Sequence, residues 1–394
     1  MKKLEECLQE ELDVIKEKNL ERKIRGLRFI TPVKAIDETG AKYLVFSSNN
    51  YLGLTHAPEV IRATKDALEY GTGSTGSRLT KGSHFESLAL EKALAKFNHT
   101  EAALTFNTGY MTNLGLLYGL VKANDVIFSD SLNHASIIDG CRISKCEVKV
   151  YSHSNMEDLE KLLREDKTLG HRYIVTDGVF SMDGDIANLP ELVRLKEKYN
   201  ATLIVDDAHG VGVIGDNGGG TADYYKLYGK IDLQVGTLSK ALASEGGYVA
   251  GKKIYIDYLI NKSRPFIFST ALSPASHSAA LAALNLLITK KDLYLNKLKE
   301  NALYMRSLLE KGKVKVIPGE TPIIPIMVGE AKRATQFANK LLEQNILVSA
   351  IRPPTVPQGE CRLRLTVTAA HSKKDVEKAS IAIIETWDEL CRGK

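Results

Sequence analysis

From residue 44 onward the chain alternates short, nearly continuous apolar runs with helix-length amphipathic stretches, and this alternation restricts the fold more than any other feature. Runs at 126–129, 173–176, 203–205 and 232–236 read as strands; 85–97, 190–199 and 278–288 read as helices. Strands without polar alternation are buried on both faces, so the pattern predicts a parallel α/β sheet covered by helices. In such sheets ligands bind beyond the carboxyl ends of the strands. A motif therefore deserves a chemical reading where it leaves a strand.

After about residue 288 the texture changes. A helical stretch at 292–311 leads to apolar runs at 314–317 and 323–328. A helix near 334–344, strands near 346–351 and 362–368, and a final amphipathic helix including 376–390 complete the chain. The expected organisation is an N-terminal helical segment (1–43), a large domain (44–288) and a small α+β C-terminal domain (289–394). In the N-terminal segment Leu4, Leu8, Leu12 and Ile15 recur at helical spacing, which predicts an amphipathic helix packed on the body of the protein. The sequence shows no internal repeat and no low-complexity segment.

Composition narrows the function classes. There are 53 basic and 48 acidic residues, a net charge of +5, without a long basic run. A nucleic-acid binder would concentrate its charge, so none is expected as a partner. The mild excess suits anionic substrates such as CoA thioesters. The five cysteines form no CxxC pair, which fits reduced thiols in a cytoplasm. The charged N-terminus is no signal peptide, and no apolar run approaches the ~20 residues that span a bilayer, so no membrane is expected. Nine histidines occur without an HxxxH pair or a Cys/His cluster, and no metal is expected.

Three strand ends carry chemistry. LIVDDAH (203–209) releases an acid and a histidine from a buried strand; DLQVGTLSK (232–240) places a lysine after a strand with two hydroxyls before it; TDGVFSMDG (176–184) sets a serine in a turn. Pyridoxal phosphate (PLP) chemistry needs a lysine for an imine, a carboxylate for the pyridine nitrogen, donors for the phosphate and a group stacked on the ring. Asp206 fits the carboxylate and Lys240 the imine, while Ser181, Thr237 and Ser239 offer hydroxyls. Alone, each has a plainer reading: an exposed lysine, a helix cap, a turn. Together on successive strand ends they outweigh it. Two glycine-rich stretches do not compete. GTGSTG (71–76) lacks a following GK[ST] and a clean strand–GxGxxG–helix setting, and 211–220 reads as a flexible loop.

These motifs resemble the α-oxoamine synthases, PLP-dependent transferases of fold type I (aspartate aminotransferase-like), with a large parallel or mixed sheet domain and a smaller α+β C-terminal domain. The resemblance runs from about residue 20 to 385. It includes SSNNYLGL (47–54), NHAS (133–136), TDGVFSMDGD, VDDAHGVGVIG, GTLSKA and RPFIFST (264–270). It implies that Lys240 forms the internal aldimine and later moves the Cα proton, and that Asp206 pairs with the pyridinium nitrogen. His134 would stack on the ring and His209 would lie near its phenolic oxygen. Gly109 and Tyr110 would meet the phosphate through backbone, Ser181 and Thr237 through hydroxyls. Thr270 would reach the phosphate of the other subunit, implying a homodimer with shared sites. Family members condense an amino acid with an acyl-CoA or acyl-carrier thioester and lose carbon dioxide.

Arg362 and Arg364 alternate onto one face of a strand, and the resemblance selects Arg364 to grip the amino acid's carboxylate in bidentate fashion. Asn50, Arg22 and Thr355 are the other substrate-binding candidates. IRPPTVP (351–357) resembles the biotin-pathway member, which joins a pimeloyl thioester to L-alanine. NHASIIDG (133–140) and TPIIPI (321–326) resemble at least as much the member that joins acetyl-CoA to glycine. The C-terminal stretch carries more weight, since its domain is expected to line the substrate site. Rival classes are a plain PLP aminotransferase, which releases no CoA, and a PLP-binding regulator, for whose DNA-binding module the N-terminal segment is too short.

Overall fold

A computed structural model describes residues 2–392. The chain divides into two compact units: residues 52–181 with 185–296, and residues 2–51 with 182–184 and 297–392.

In the second of these units, strands β1 (Arg28–Thr31), β2 (Lys34–Ile36) and β3 (Lys42–Val45) form an antiparallel meander. The expected helical N-terminal segment thus holds strands as well as its helix, Leu4–Glu17. That helix forms where the spacing predicts, but it buries no residue; Leu4 is 72% and Leu12 58% exposed. The expected packing of its apolar stripe onto the body is not found, because none of the described residues covers it.

The larger unit carries one seven-stranded sheet. Its strands are β4 (Ala102–Phe106), β5 (Val126–Asp130), β6 (Glu147–Tyr151), β7 (Arg172–Asp177), β8 (Ala201–Asp206), β9 (Leu233–Thr237) and β10 (Gly247–Gly251), in the order β4-β10-β9-β8-β7-β5-β6. Strands β5 to β9 pair in parallel, as the unalternating apolar runs of β5, β7, β8 and β9 predict; β6, with charged residues in its sequence, carries no such run. Strand β10 runs antiparallel between β4 and β9, so the sheet is mixed. Two buried clusters cover its faces. Leu116, Ile137 and Leu259 pack on one side, and Leu159, Leu192 and Leu195 on the other. The 211–220 stretch is not a loose loop. Gly212 N donates to Gly218 O at 2.7 Å, and buried Asp223 accepts from the backbone of Asn217 and Gly219.

The C-terminal part of the smaller unit contains β11 (Ile323–Gly329), β12 (Ile346–Leu347), β13 (Ser349–Ile351) and β14 (Cys361–Thr366). The run at 346–351 is two strands rather than one. Strand β12 pairs in parallel with β3, whereas β13 joins β14. The 314–317 run makes only an isolated bridge, Val316 to Ile326. The helical stretches at 278–288 and 292–311 belong to one element, Pro274–Lys311, with a break in helical geometry at Lys290. Met305, Ile324, Phe337, Leu363 and Ile383 centre this unit's core. The last helix, Lys373–Leu390, is held by a capping box between Ser372 and Asp375.

Candidate active site

Parallel strands place their carboxyl ends on one edge, and that edge of the large sheet collects the polar groups. Asp130, Asp177, Asp206 and Thr237 are the final residues of β5, β7, β8 and β9. A cavity of ≈ 190 Å³ opens there, lined by Gly109, Tyr110, His134, Ser136, Asp177, Ser181, Asp206, Ala208, His209, Thr237 and Lys240. Eight residues singled out in the sequence for cofactor binding (Gly109, Tyr110, His134, Ser181, Asp206, His209, Thr237 and Lys240) are therefore brought together from distant parts of the chain.

Lys240 Nζ lies 2.7 Å from His209 Nε2. Buried Asp206 accepts from Asn113 Nδ2 at 2.6 Å and from the Ala208 amide at 3.0 Å. Asn113 also donates to Ser136 Oγ, which stands 2.8 Å from His134 Nδ1. One chain of contacts thus links His134 to Asp206. Burial lowers the pKa of His134, with Asp206 acting the other way.

Register sets Asp177 directly beside Asp206. Burial, reinforced by the Asp206 charge, holds the Asp177 carboxyl well above its usual range. Its Oδ2 accepts the His134 amide at 3.0 Å, so it fixes the backbone from which that ring projects. Asp207, next in the chain, is pushed up to about 7 by burial. Its Oδ2 accepts from both the amide and the hydroxyl of Thr221. Sequence reasoning missed Asn113, Ser136 and Asp177. Asn113 and Ser136 lie within helices, with no strand-end position to mark them.

At the other end of the cavity the helix Gly109–Leu120 begins. Its first-turn amides and N-terminal dipole form a ready anion site. Thr108 caps it by accepting from the Met111 amide at 3.0 Å. Gly247 permits this placement: a Cβ there would stand 2.7 Å from Gly109 Cα. Thr237 Oγ1 donates to Gly246 O at 3.0 Å while lining the cavity. Ser239 is different. Its hydroxyl joins the turn through Gly246 and lies outside the cavity lining.

The donor set fits PLP. A helix N-terminus with two hydroxyls suits a phosphate, an amine stands ready for the aldehyde carbon, and a buried carboxylate with two donors suits a ring nitrogen. Histidine is available as the stacking group. Among the described residues no cluster of histidine, cysteine or acidic side chains suits a metal ion, and no helix is long and apolar enough to cross a membrane.

The remaining candidates lie elsewhere. The Thr270 side chain is outside the cavity lining; its carbonyl accepts from Asn107 Nδ2 at 2.7 Å. Arg364 is buried on the central strand β14. Its guanidinium donates to Asn49 Oδ1 and Thr366 Oγ1, each at 3.0 Å. Arg362 instead pairs with Asp183 and Glu360. Asn50 is buried nearby in the chain, its amide donating to Ser48 Oγ.

Arg22 and Thr355 are exposed. The backbone beside each meets Arg352, which the sequence reading passed over. Arg352 donates to the carbonyls of Asn19 and Glu21, and its own carbonyl accepts the Thr355 amide at 3.1 Å. Burial, followed by the nearby Arg22 charge, lowers the pKa of Arg352.

The profile of the aminotransferase class I and II family matches residues 41–383. The 8-amino-7-oxononanoate synthase of Lysinibacillus sphaericus is 47% identical over 381 residues, covering 96% of this chain and 97% of its own. Among solved structures, a serine palmitoyltransferase from S. paucimobilis with bound PLP-myriocin aldimine superposes with a TM-score of 0.92 at 29% identity, over 99% of each chain. The 8-amino-7-oxononanoate synthase of Francisella tularensis does so with a TM-score of 0.75 at 30% identity, over 88% of this chain and 98% of its own.

Proposed function

This chain belongs to the α-oxoamine synthases, PLP-dependent acyltransferases of the aminotransferase class I and II family, and we propose that it acts as an 8-amino-7-oxononanoate synthase in biotin synthesis. It would join L-alanine to a pimeloyl thioester, on CoA or an acyl carrier, releasing carbon dioxide and the free thiol. The observation that carries this reading is the 47% identity to a synthase of that name over nearly the whole chain.

Bound PLP supplies an electron sink for the bonds at the amino acid's Cα. Lys240 would supply the amine that holds the cofactor and would move the Cα proton; His209, 2.7 Å away, holds that amine in place. Asp206, fixed by Asn113 and Ala208, would keep a proton on the ring nitrogen. His134 would cover the ring, with its orientation set by Ser136 and its backbone by Asp177. Gly109, Tyr110, Ser181 and Thr237, which line the cavity, would hold the phosphate. Arg364 grips the alanine carboxylate, and Asn50 belongs to the same substrate set. Arg22, Arg352 and Thr355 meet the far carboxylate of the pimeloyl group. This role is supported by the concentration of positive charge around Arg352.

The working form is a homodimer in which Thr270 of each subunit completes the other's phosphate site. Support comes from the uncovered apolar stripe of the helix Leu4–Glu17 and from the position of Thr270 outside its own chain's cavity lining. The five free cysteines suit the cytoplasm.

The deciding assay offers alanine with pimeloyl-CoA in one reaction and glycine with acetyl-CoA in another, following free thiol and the amino ketone. The first pair is expected to show the higher kcat/KM. A clear preference for glycine and acetyl-CoA would make the chain a glycine C-acetyltransferase. Keto acid without thiol release would make it an aminotransferase.

A further inference from the structure

Outside the cavity lining, one charged cluster ties together the turns that supply it. His153 follows β6. Its Nδ1 lies 3.0 Å from Asp130 Oδ1, and its Nε2 lies 3.0 Å from Asp185 Oδ2. Asp130 ends β5 and Asp185 lies in the hairpin after β7, so the ring bridges three consecutive positions along the sheet edge. Its edge also packs against Phe180, with ring centroids 4.4 Å apart.

Each end of this bridge leads to a cavity residue. Asp130 accepts from the Leu132 amide at 2.9 Å and, through its other oxygen, from the Ser154 amide at 2.9 Å. Its carbonyl accepts the Asn133 amide, and His134 is the next residue. At the other end Phe180 N donates to Asp185 O at 3.0 Å, and Ser181 follows Phe180.

We infer that His153 is a positioning residue whose doubly held imidazolium, between Asp130 and Asp185, sets the two turns that present His134 and Ser181 to the cofactor. This rests on the reading of the cavity as the PLP site. A neutral imidazole has one N–H and can donate to only one of two carboxylates; the doubly protonated ring donates to both. Charge-assisted hydrogen bonds at both nitrogens give a fixed ring orientation as well as attraction. The two carboxylates raise the pKa of His153 to about 10 against the opposing effect of burial. The charged groups facing the ring are Asp130 and Asp185; Asp177 and Tyr151 lie close enough to Asp130 to feel its charge. Because the folded pKa lies above the unfolded value, the stabilisation is complete below about 6.5 and disappears as pH rises through about 10.

The test uses histidine labelled with ¹⁵N in the full-length protein and PLP titrated into cofactor-free enzyme between pH 7 and 9. Wild type and Asp185→Asn are compared; the amide keeps the shape of the carboxyl and removes one charge. In wild type both ring nitrogens of His153 should carry protons throughout, and cofactor affinity should show no step from this ring. In Asp185→Asn the ring should lose its proton within the window. Cofactor affinity should fall by about tenfold as it does, in line with the loss of a supporting contact to a bound group. A role confined to general packing would give no step at the pH of the ring's titration. A neutral His153 ring in wild type at pH 8 would overturn the inference, as would variant affinity that ignores the titration. If wild type binds no PLP at all, the cofactor reading fails instead, and the ring spectrum still reports whether the clamp exists.

Discussion

At the residue scale the site depends on which groups carry charge. Lys240 can attach to the cofactor only through its amine, so Lys240→Ala should abolish borohydride-stable labelling of the protein by PLP and stop turnover. Mass spectrometry of the trapped peptide checks this; label on another lysine would reassign the amine. Asp207 gives a separate, pH-dependent signature. Burial raises its folded pKa to about 7, from an ordinary value of 3.8. Between those values the folded state keeps the proton and the unfolded state has lost it, so this residue makes stability fall as pH rises. Asp207→Asn keeps an acceptor for Thr221 and removes the titration. The variant's urea midpoint should therefore gain on wild type between pH 5 and pH 7, whereas parallel curves would mean that the carboxyl is not perturbed.

At the element scale the decisive feature is how closely the helix Gly109–Leu120 approaches β10. At Gly247 a Cβ would lie 2.5 Å from Thr112 Oγ1 and 2.8 Å from the Gly109 nitrogen. The latter is backbone and cannot swing aside, so Gly247→Ala must push the first helical turn outward. Overpacking of this kind costs about 1–3 kcal/mol. The moved turn is the one proposed to face the phosphate. Gly247→Ala should thus lower both the melting temperature and the affinity for PLP, while Gly73→Ala, where a Cβ meets nothing within 4 Å, should change neither. Equal cofactor affinity in the two variants would remove the helix N-terminus from the phosphate site.

At the scale of the whole molecule the chain leaves features that one copy does not complete. The helix Leu4–Glu17 turns Leu4, Leu8 and Leu12 to solvent, and Thr270 stays outside the cavity lining. Sedimentation should give twice the 43.4 kDa chain mass. Thr270→Ala should weaken PLP binding without changing that mass. A fully active monomer would overturn the shared site.

Much of this was legible in the sequence for physical reasons. Buried parallel strands leave unalternating apolar runs, so β5, β7, β8 and β9 were visible, and a reactive residue just past a run marks the ligand edge. Asp206, His209, Ser181 and Lys240 could be read in that way. Local composition could not reveal what long-range pairing decides. The run at 346–351 reads as one strand-like stretch, yet its halves pair with β3 and β14 in different sheets. The amphipathic helix at the N-terminus was correctly read as a helix, but amphipathicity states that a face needs cover and not what covers it. Asn113, Ser136 and Asp177 matter because folding sets them against Asp206 and His134. His153 was ordinary until the sheet order β7-β5-β6 brought a carboxylate to each of its nitrogens. The sequence determined the elements and the residues that carry chemistry, since both follow from local patterning. The tertiary structure alone decided which carboxylates are neighbours, because burial and charge–charge distance, which set their protonation, exist only in the folded chain.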